Sequence, residues 1–345
     1  EDALPSPMPY RGFVAHSLDR QREADAEVFF RQMLGDVDEP TAPFGLTDVH
    51  GDGTAIRESE RLLGETLSRR IRECVRKLGM SAATLFHVAY ALVLARCASR
   101  DDVVFGSVLS GRMGGVAGAD RMMGMFINTL PVRLKLKGVS VLEAMRAVQD
   151  MLVDLLKYEQ TPLAVAQRCS ALDNGATLFS AVLNYRHSHG SNDASVQAGM
   201  EVVEAKERTN YPFAVSVDDF GQRFGLNVQT NAAVVDPASI GKYMERAVAE
   251  VVELLESSSH HELLSLQILP DEERQRILES FNDTKAEYPK EALIHELFEQ
   301  QVERTPQAVA VRYEQEQLTY AQLNARANQL AHRLKAMRDV AGAPI

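Results

Sequence analysis

Cysteine is scarce in this chain. Its three thiols, Cys74, Cys97 and Cys169, are an odd number at wide spacing, which supports neither a disulfide framework nor a zinc site of paired ligands and makes a reducing cytoplasm the default expectation. Basic residues are outnumbered, 37 against 48 acids for a formal net charge of −11. The overall field that draws polyanions is therefore missing, and nucleic acid is set aside as a partner. No apolar run reaches the roughly 20 residues of a bilayer crossing; a long one, Ala82 to Ala95, is interrupted by His87. No membrane-spanning segment is expected. Glu1-Asp2-Ala3-Leu4-Pro5 has neither a basic stretch nor an initiating methionine, so it reads as an internal cut rather than a signal peptide. Phosphate loops are absent too. No GxxxxGK[ST] occurs, and Gly51-Asp52-Gly53 lacks the third glycine and the helix of a dinucleotide site.

What is present is a globular composition, 45% apolar and 25% charged, long enough for about two domains. After a proline-rich opening, a helix is expected from about Asp19 to Leu34, then a connecting stretch through Gly53. Leu67, Ile71, Cys74, Val75 and Leu78 share one face of a helix stopped by Gly79. Ser81 caps a second helix, apolar almost all round and hence buried, running to about Cys97. Val103 to Leu109 reads as an interior strand, Gly111 to Gly124 as an irregular glycine-rich loop, and Phe126 to Leu136 as a strand. Ser140 and Glu143 form a capping box for a helix over 141–159. Strands follow at 178–186, 213–220 and 224–230, and a helix from Asp236-Pro237 to about Glu256. Such alternation predicts an α/β fold with a mixed sheet. A polar stretch from Ser257, then a charged helix beginning near Pro270, suggests a linker. Beyond it come a helix at 292–304, a strand at 307–313, and a helix capped by Thr319 and Gln322 that runs through Lys335.

The chemistry legible from residue types alone is thin. His187 with His189, and His260 with His261, lack a second group of ligands nearby, so solvated loop histidines are favoured over a metal site. Gly106-Ser107-Val108-Leu109-Ser110-Gly111 does not match a nucleophile elbow, and its serines read as structural. Arg112 either caps carbonyls at a strand end or pairs with a carboxylate across a cleft. Asn128 and Asn184 interrupt apolar strands; each is either a structural hydrogen-bond node or a tunnel-facing group that holds a substrate amide. Strand alternation puts Asn184 on a face with Ser180 and Val182, opposite Phe179 and Leu183.

Several stretches, in order, resemble the second half of a nonribosomal peptide synthetase condensation domain. Tyr10 to His16 resembles its YxDYAxW-type motif, with His16 where Trp is usual. Met123-Gly124-Met125-Phe126-Ile127-Asn128-Thr129-Leu130-Pro131-Val132-Arg133 resembles GxFVNTLxxR almost throughout, and Ser110-Gly111-Arg112 precedes it at family-like spacing. Tyr158 to Leu163 resembles HQDYPFE weakly, keeping chiefly Pro162, and Arg208 to Phe213 resembles the SRNPL type. Further on, Asn282-Asp283-Thr284 and Ile294 to Val302 look like the join to an adenylation domain, and Leu318-Thr319-Tyr320-Ala321-Gln322-Leu323 resembles its LTYxEL motif. One departure stands out: the family's HHxxxDG, whose second histidine is credited with positioning or deprotonating the attacking amine, occurs nowhere in these residues.

The resemblance implies a chloramphenicol-acetyltransferase-like lobe with four parts: residues 1–48 as an inter-lobe connecting segment, 49–268 as the C-terminal lobe, 269–290 as a linker and 291–345 as the beginning of an adenylation domain. It implies amide formation between a carrier-bound acyl or peptidyl thioester and an aminoacyl amine. No cofactor is bound directly; substrates ride on phosphopantetheine arms of donor and acceptor carrier proteins. The other implied partners are the N-terminal lobe and the adjoining adenylation domain. No catalytic residue is expected here beyond a supporting Arg112, placed opposite the Asp of the missing motif. Ser110, Asn128, Asn184 and Asn210 are the implied tunnel residues. Gly124, Phe126, Thr129 and Arg133 belong to a floor loop over 111–133, and Gly221 to Thr230 would be a latch crossing the cleft. Two readings compete with an acceptor-side lobe: a non-catalytic region that packs condensation and adenylation domains together, and a small acyltransferase using a serine or histidine of its own.

Overall fold

The computed structural model describes residues 6–23, 25–112, 118–173, 175–187, 207, 209–257, 261–287 and 290–337. The chain divides into two units, Glu1–Gln275 and Arg276–Ile345. Where one N-terminal helix was expected there are two, α1 (Arg11–Glu23) and α2 (Ala26–Leu34). Asp25 makes the second start, its carboxylate accepting from the Val28 N–H at 3.4 Å. A strand that hydropathy did not signal follows, β1 (Ile56–Leu62), whose charged residues suit an edge position.

Helix α3 (Glu65–Leu78) stops at Gly79, which takes the left-handed conformation at φ 66° that glycine adopts without penalty. Ser81 then caps α4 (Ala82–Ala98), its hydroxyl accepting from the Thr84 N–H at 3.2 Å. Every residue from Thr84 to Ala95 is buried, and each large apolar side chain so enclosed contributes roughly 1.5–3 kcal/mol. Strands β2 (Asp102–Leu109) and β3 (Asn128–Lys135) pair antiparallel. The capping box of Ser140 and Glu143 starts α5 (Val141–Lys157), and a short α6 (Leu163–Arg168) follows.

Strands β4 (Ala181–His187), β5 (Phe213–Asp219) and β6 (Phe224–Asn231) complete a six-stranded sheet of order β1-β6-β5-β4-β2-β3. It is parallel at β2/β4 and β4/β5 and antiparallel elsewhere, the mixed sheet the sequence predicts. Helix α7 (Pro237–Ser257) packs with α4, β1 and β6. The expected latch at 221–230 is not a crossing segment: 224–230 is interior strand, hydrogen-bonded to β1 on one side and β5 on the other. Six of the eight β6 residues are buried, so this segment is held by the sheet on both edges.

Helix α8 (Asp271–Leu278) occupies the charged stretch after Pro270. The second unit contains α9 (Ile294–Arg304), a hairpin of β7 (Val309–Tyr313) and β8 (Glu316–Thr319), and α10 (Tyr320–Met337). Thr319 and Gln322 cap α10 reciprocally, at 2.9 and 3.3 Å. Strand β8 was not foreseen, being only four residues long. Among the described residues no single helix is long and apolar enough to cross a membrane. Only α3 and α4 taken together reach that length, across a 110° bend.

Candidate functional site

Two helices and two strand ends of the first unit line an open cavity of about 750 Å³. Helix α4 contributes Ala83 and His87; β2 and its exit contribute Ser107 to Ser110 and Arg112; α5 contributes Gln149, Leu152, Val153 and Leu156; β4 contributes Asn184 to His187. The parallel pairing of β2 with β4, which sets Val108 beside Asn184, brings these distant segments together. Three expected residues therefore meet here: Ser110, Arg112 and Asn184. The Asn184 side chain makes no hydrogen bond to another described residue, and its main chain pairs with Ser216 of β5.

His87, which interrupts the apolar α4, and Ser107, read from sequence as structural, share a role in the structure. His87 is the one imidazole in the apolar α4, 3% exposed, and its Nε2 lies 2.8 Å from Ser107 Oγ, itself 2% exposed. The other ring nitrogen, Nδ1, lies 2.7 Å from the Ala83 carbonyl. A carbonyl only accepts, so Nδ1 carries the proton and donates, and Nε2 must accept from the Ser107 hydroxyl. Burial pushes the His87 pKa down to about 4, so the ring is neutral near pH 7. The histidine interrupting an apolar helix is the signal that marked it in the sequence.

At the β4 end, Asp219 gathers a polar cluster. Its carboxylate accepts from Arg72 at 2.5 and 3.3 Å, Tyr185 Oη at 2.9 Å and the Gly221 N–H at 2.9 Å, with His187 Nδ1 3.7 Å away. Burial alone would raise this carboxyl, but Arg72 and the two other donors hold it below its ordinary value. Arg186, also on the cavity wall, donates twice to Asp218 at 2.8 Å and to Glu207 at 2.7 Å.

Arg112 takes the carbonyl-capping arrangement within the described residues. Its guanidinium donates to the carbonyls of Ala119 and Met122 and lies 3.8 Å from the centre of the Phe126 ring. Phe126 in turn packs on Phe13 and Tyr10, ring centres 4.3 and 5.3 Å away, so the Tyr10–His16 and Met123–Arg133 stretches touch one another. Gly124 is required there, since a Cβ would stand 2.3 Å from the Tyr10 ring.

The remaining sequence-derived residues lie off the cavity lining. Asn128 takes the structural alternative. Its amide donates to the Glu159 and Thr161 carbonyls at 2.9 and 2.8 Å and accepts from the Thr129 N–H at 2.9 Å, tying β3 to the chain after α5. Asn210 donates to the Val49 carbonyl. Thr129 pairs with Val108 and packs on Gly106. Arg133 is a buried clamp, donating to Asp102, Asp36 and the Met33 carbonyl. Residues 113–117 of the expected floor loop, Arg208, His189 and His260 lie outside the described residues. Among the described residues no group of three or more His, Cys, Asp or Glu side chains is placed to hold a metal ion.

With this geometry in hand, the condensation-domain family matches residues 5–278. The chain belongs to the condensation-domain family of nonribosomal peptide synthetases. Behind the condensation domain, residues 298–342 match the AMP-binding enzyme family. Among its relatives are malpinin synthetase of Mortierella alpina, 43% identical over 332 residues, 96% of this chain and 4% of that protein. Malpibaldin synthetase of the same organism is 42% identical over 337 residues, 96% of this chain and 6% of the relative. The chain thus spans a small part of these synthetases. A similar solved structure is a four-domain nonribosomal peptide synthetase bound to AMP and glycine, with TM-score 0.67 and 11% identity over 92% of this chain and 25% of that one. The first condensation domain of the calcium-dependent antibiotic synthetase matches with TM-score 0.57 and 16% identity, over 78% of this chain and 60% of its own. At these identities the likeness is one of fold, and it bears out the mixed α/β, chloramphenicol-acetyltransferase-like class.

Proposed function

We propose that the first unit is the acceptor-side, C-terminal lobe of a condensation site that works together with a lobe carrying HHxxxDG. In the reaction, the amine nitrogen of one carrier-bound aminoacyl group attacks the thioester carbonyl of another. The C–N bond forms, the C–S bond breaks, and the proton lost by the amine ends on the departing thiol. Much of the acceleration in such a step comes from holding a neutral amine near the carbonyl.

The observation that carries this reading is the cavity and its rim. Ser110, Arg112 and Asn184 converge on it, while Ile127, Val153 and Leu156 on its wall remain 63%, 50% and 38% exposed. Apolar wall residues left this open suit a surface covered by another lobe. Phosphopantetheine arms of donor and acceptor carrier proteins would deliver the substrates, Arg112 would face the motif aspartate, and Asn184 would hold a substrate or pantetheine amide. The segment boundaries fit the same scheme, with 1–48 connecting lobes, 49–268 forming this one, 269–290 linking and 291–345 opening the adenylation domain. Three unpaired thiols suit a reducing compartment such as the cytoplasm.

The test is condensation between an acyl-loaded donor carrier and an aminoacyl-loaded acceptor carrier, read by mass spectrometry of the released product. The 345 residues alone should give no product above buffer and no ATP/pyrophosphate exchange, and joining an HHxxxDG lobe should give amide. Product from the chain alone would favour a self-sufficient acyltransferase. No product from the joined lobes would favour a packing role.

A further inference from the structure

The His87 and Ser107 pair has a direction built into it. Because Nδ1 gives its proton to the Ala83 carbonyl, Nε2 can only accept, and the single Ser107 hydroxyl proton is committed to it. What Ser107 has left is its lone pairs, on a buried residue of the cavity lining. Any group meeting that oxygen must bring its own proton.

The charges around the cavity narrow the ligand further. Among the described residues no aspartate or glutamate lines it. The titratable groups that do are His87 from α4, Arg112 from the β2 exit, and Tyr185, Arg186 and His187 from β4, with α5 contributing none. Asp218 and Asp219 of β5 stand behind this wall and are already engaged by Arg186, Arg72 and Tyr185. A cation entering finds arginines and no counter-charge on the lining, so its neutral form is favoured. Leu152, Val153 and Leu156 supply an apolar side for a hydrocarbon substituent.

We propose that Ser107 is a hydrogen-bond acceptor subsite for the N–H of a neutral amine, held deprotonated in the cavity with His87 fixing the direction of the serine hydroxyl. This rests on the condensation reading, in which that ligand is the acceptor aminoacyl amine. The cavity would then contribute to catalysis by keeping the nucleophile uncharged and its lone pair free, with Ser107 as a positioning residue.

The probe is leucine methyl ester, whose amine carries its only N–H groups, set against its N,N-dimethyl counterpart, whose neutral form has none. Binding to the 345-residue chain is followed by NMR titration from pH 6 to pH 9. The expected result is that the primary amine binds more tightly as pH rises through its own pKa, near 8, and that the dimethyl analogue binds about tenfold more weakly, as for one lost hydrogen bond. Ser107→Ala should show the same loss for the primary amine and Ser107→Thr should restore it. Equal binding of the two probes to the native chain overturns the proposal, as does undiminished binding by a folded Ser107→Ala chain or no binding at all. Condensation in the lobe-joined protein separates the two ideas. If it fails while the probe pattern holds, the activity falls and the subsite stands. If Ser107→Ala condenses at the native rate and KM, the subsite falls and the activity stands.

Discussion

Arg133 grips Asp102 with two nitrogens at once, Nε at 2.9 Å and Nη2 at 2.6 Å. Its third donor group reaches the Met33 carbonyl at 2.7 Å, so one guanidinium ties β2, β3 and the end of α2 together. The arginine side chain is 7% exposed and Asp102 31%. Truncation therefore leaves a half-buried carboxylate unpaired. Arg133→Ala should cost about 3 kcal/mol in urea denaturation, and Arg133→Lys should recover only part of it, lacking the bidentate fork. An Arg133→Ala chain as stable as the native one would rule the clamp out.

Stability should fall on mild acidification because of His87. Its pKa is about 4 folded and 6.5 as an ordinary histidine. Between those values the unfolded chain takes up a proton that the folded chain refuses, so stability drops as pH falls through 6.5 and levels off below 4. The contribution from pH 7 to pH 5 is about 2 kcal/mol. His87→Met should flatten that part of the profile, measured by urea midpoints at the two pH values.

The two strand asparagines should respond oppositely. Asn128→Ala strands the Glu159 and Thr161 carbonyls and should lower stability by about 1–3 kcal/mol. Asn184→Ala, with no side-chain partner to strand among the described residues, should melt near the native temperature and slow condensation in the lobe-joined protein. Paired thermal melts and single-turnover rates distinguish them, and a destabilised Asn184→Ala with normal turnover would remove it from the site.

Gly111→Ala should be the most damaging small substitution in the loop. Gly111 has φ 67°, and a Cβ there would stand 1.8 Å from the Phe126 carbonyl oxygen, which belongs to backbone and has little room to move. The left-handed conformation alone costs roughly 1–2 kcal/mol for alanine. Thermal denaturation should show a loss exceeding that figure, whereas Gly138→Ala, with φ 70° and nothing within 4 Å of its Cβ, should show the conformational part alone.

Much of the fold was legible because its elements carry local signals. Gly79, Ser81 and the Ser140/Glu143 box set helix ends to within a residue or two. A β-branched run marked β2. What escaped depends on partners remote in sequence. β1 is a strand because β6 accepts it, not because its charged residues favour one. Asp25 split an expected single helix because one side chain served as a new cap. At the site, periodicity put Asn184 on a face with Ser180 and Val182 but could not say what lay opposite. Asn128 resembles Asn184 in sequence, yet the turn after α5 absorbs its amide. His87 and Ser107 were each visible as polar residues in apolar stretches, but their pairing across 20 residues comes only from α4 packing on β2.

The place of β1 bears on how the chain is made. Its partner β6 begins about 160 residues later, and at 5–20 residues per second a ribosome needs roughly 8–30 s to deliver it. Through that interval β1 is a strand without a sheet, and a hydrophobic one would recruit neighbouring nascent chains. Arg57, Glu58, Glu60 and Arg61 make it a poor template for stray pairing. The polarity that hid this strand from hydropathy is what lets an early segment stay unattached until a late one closes the sheet.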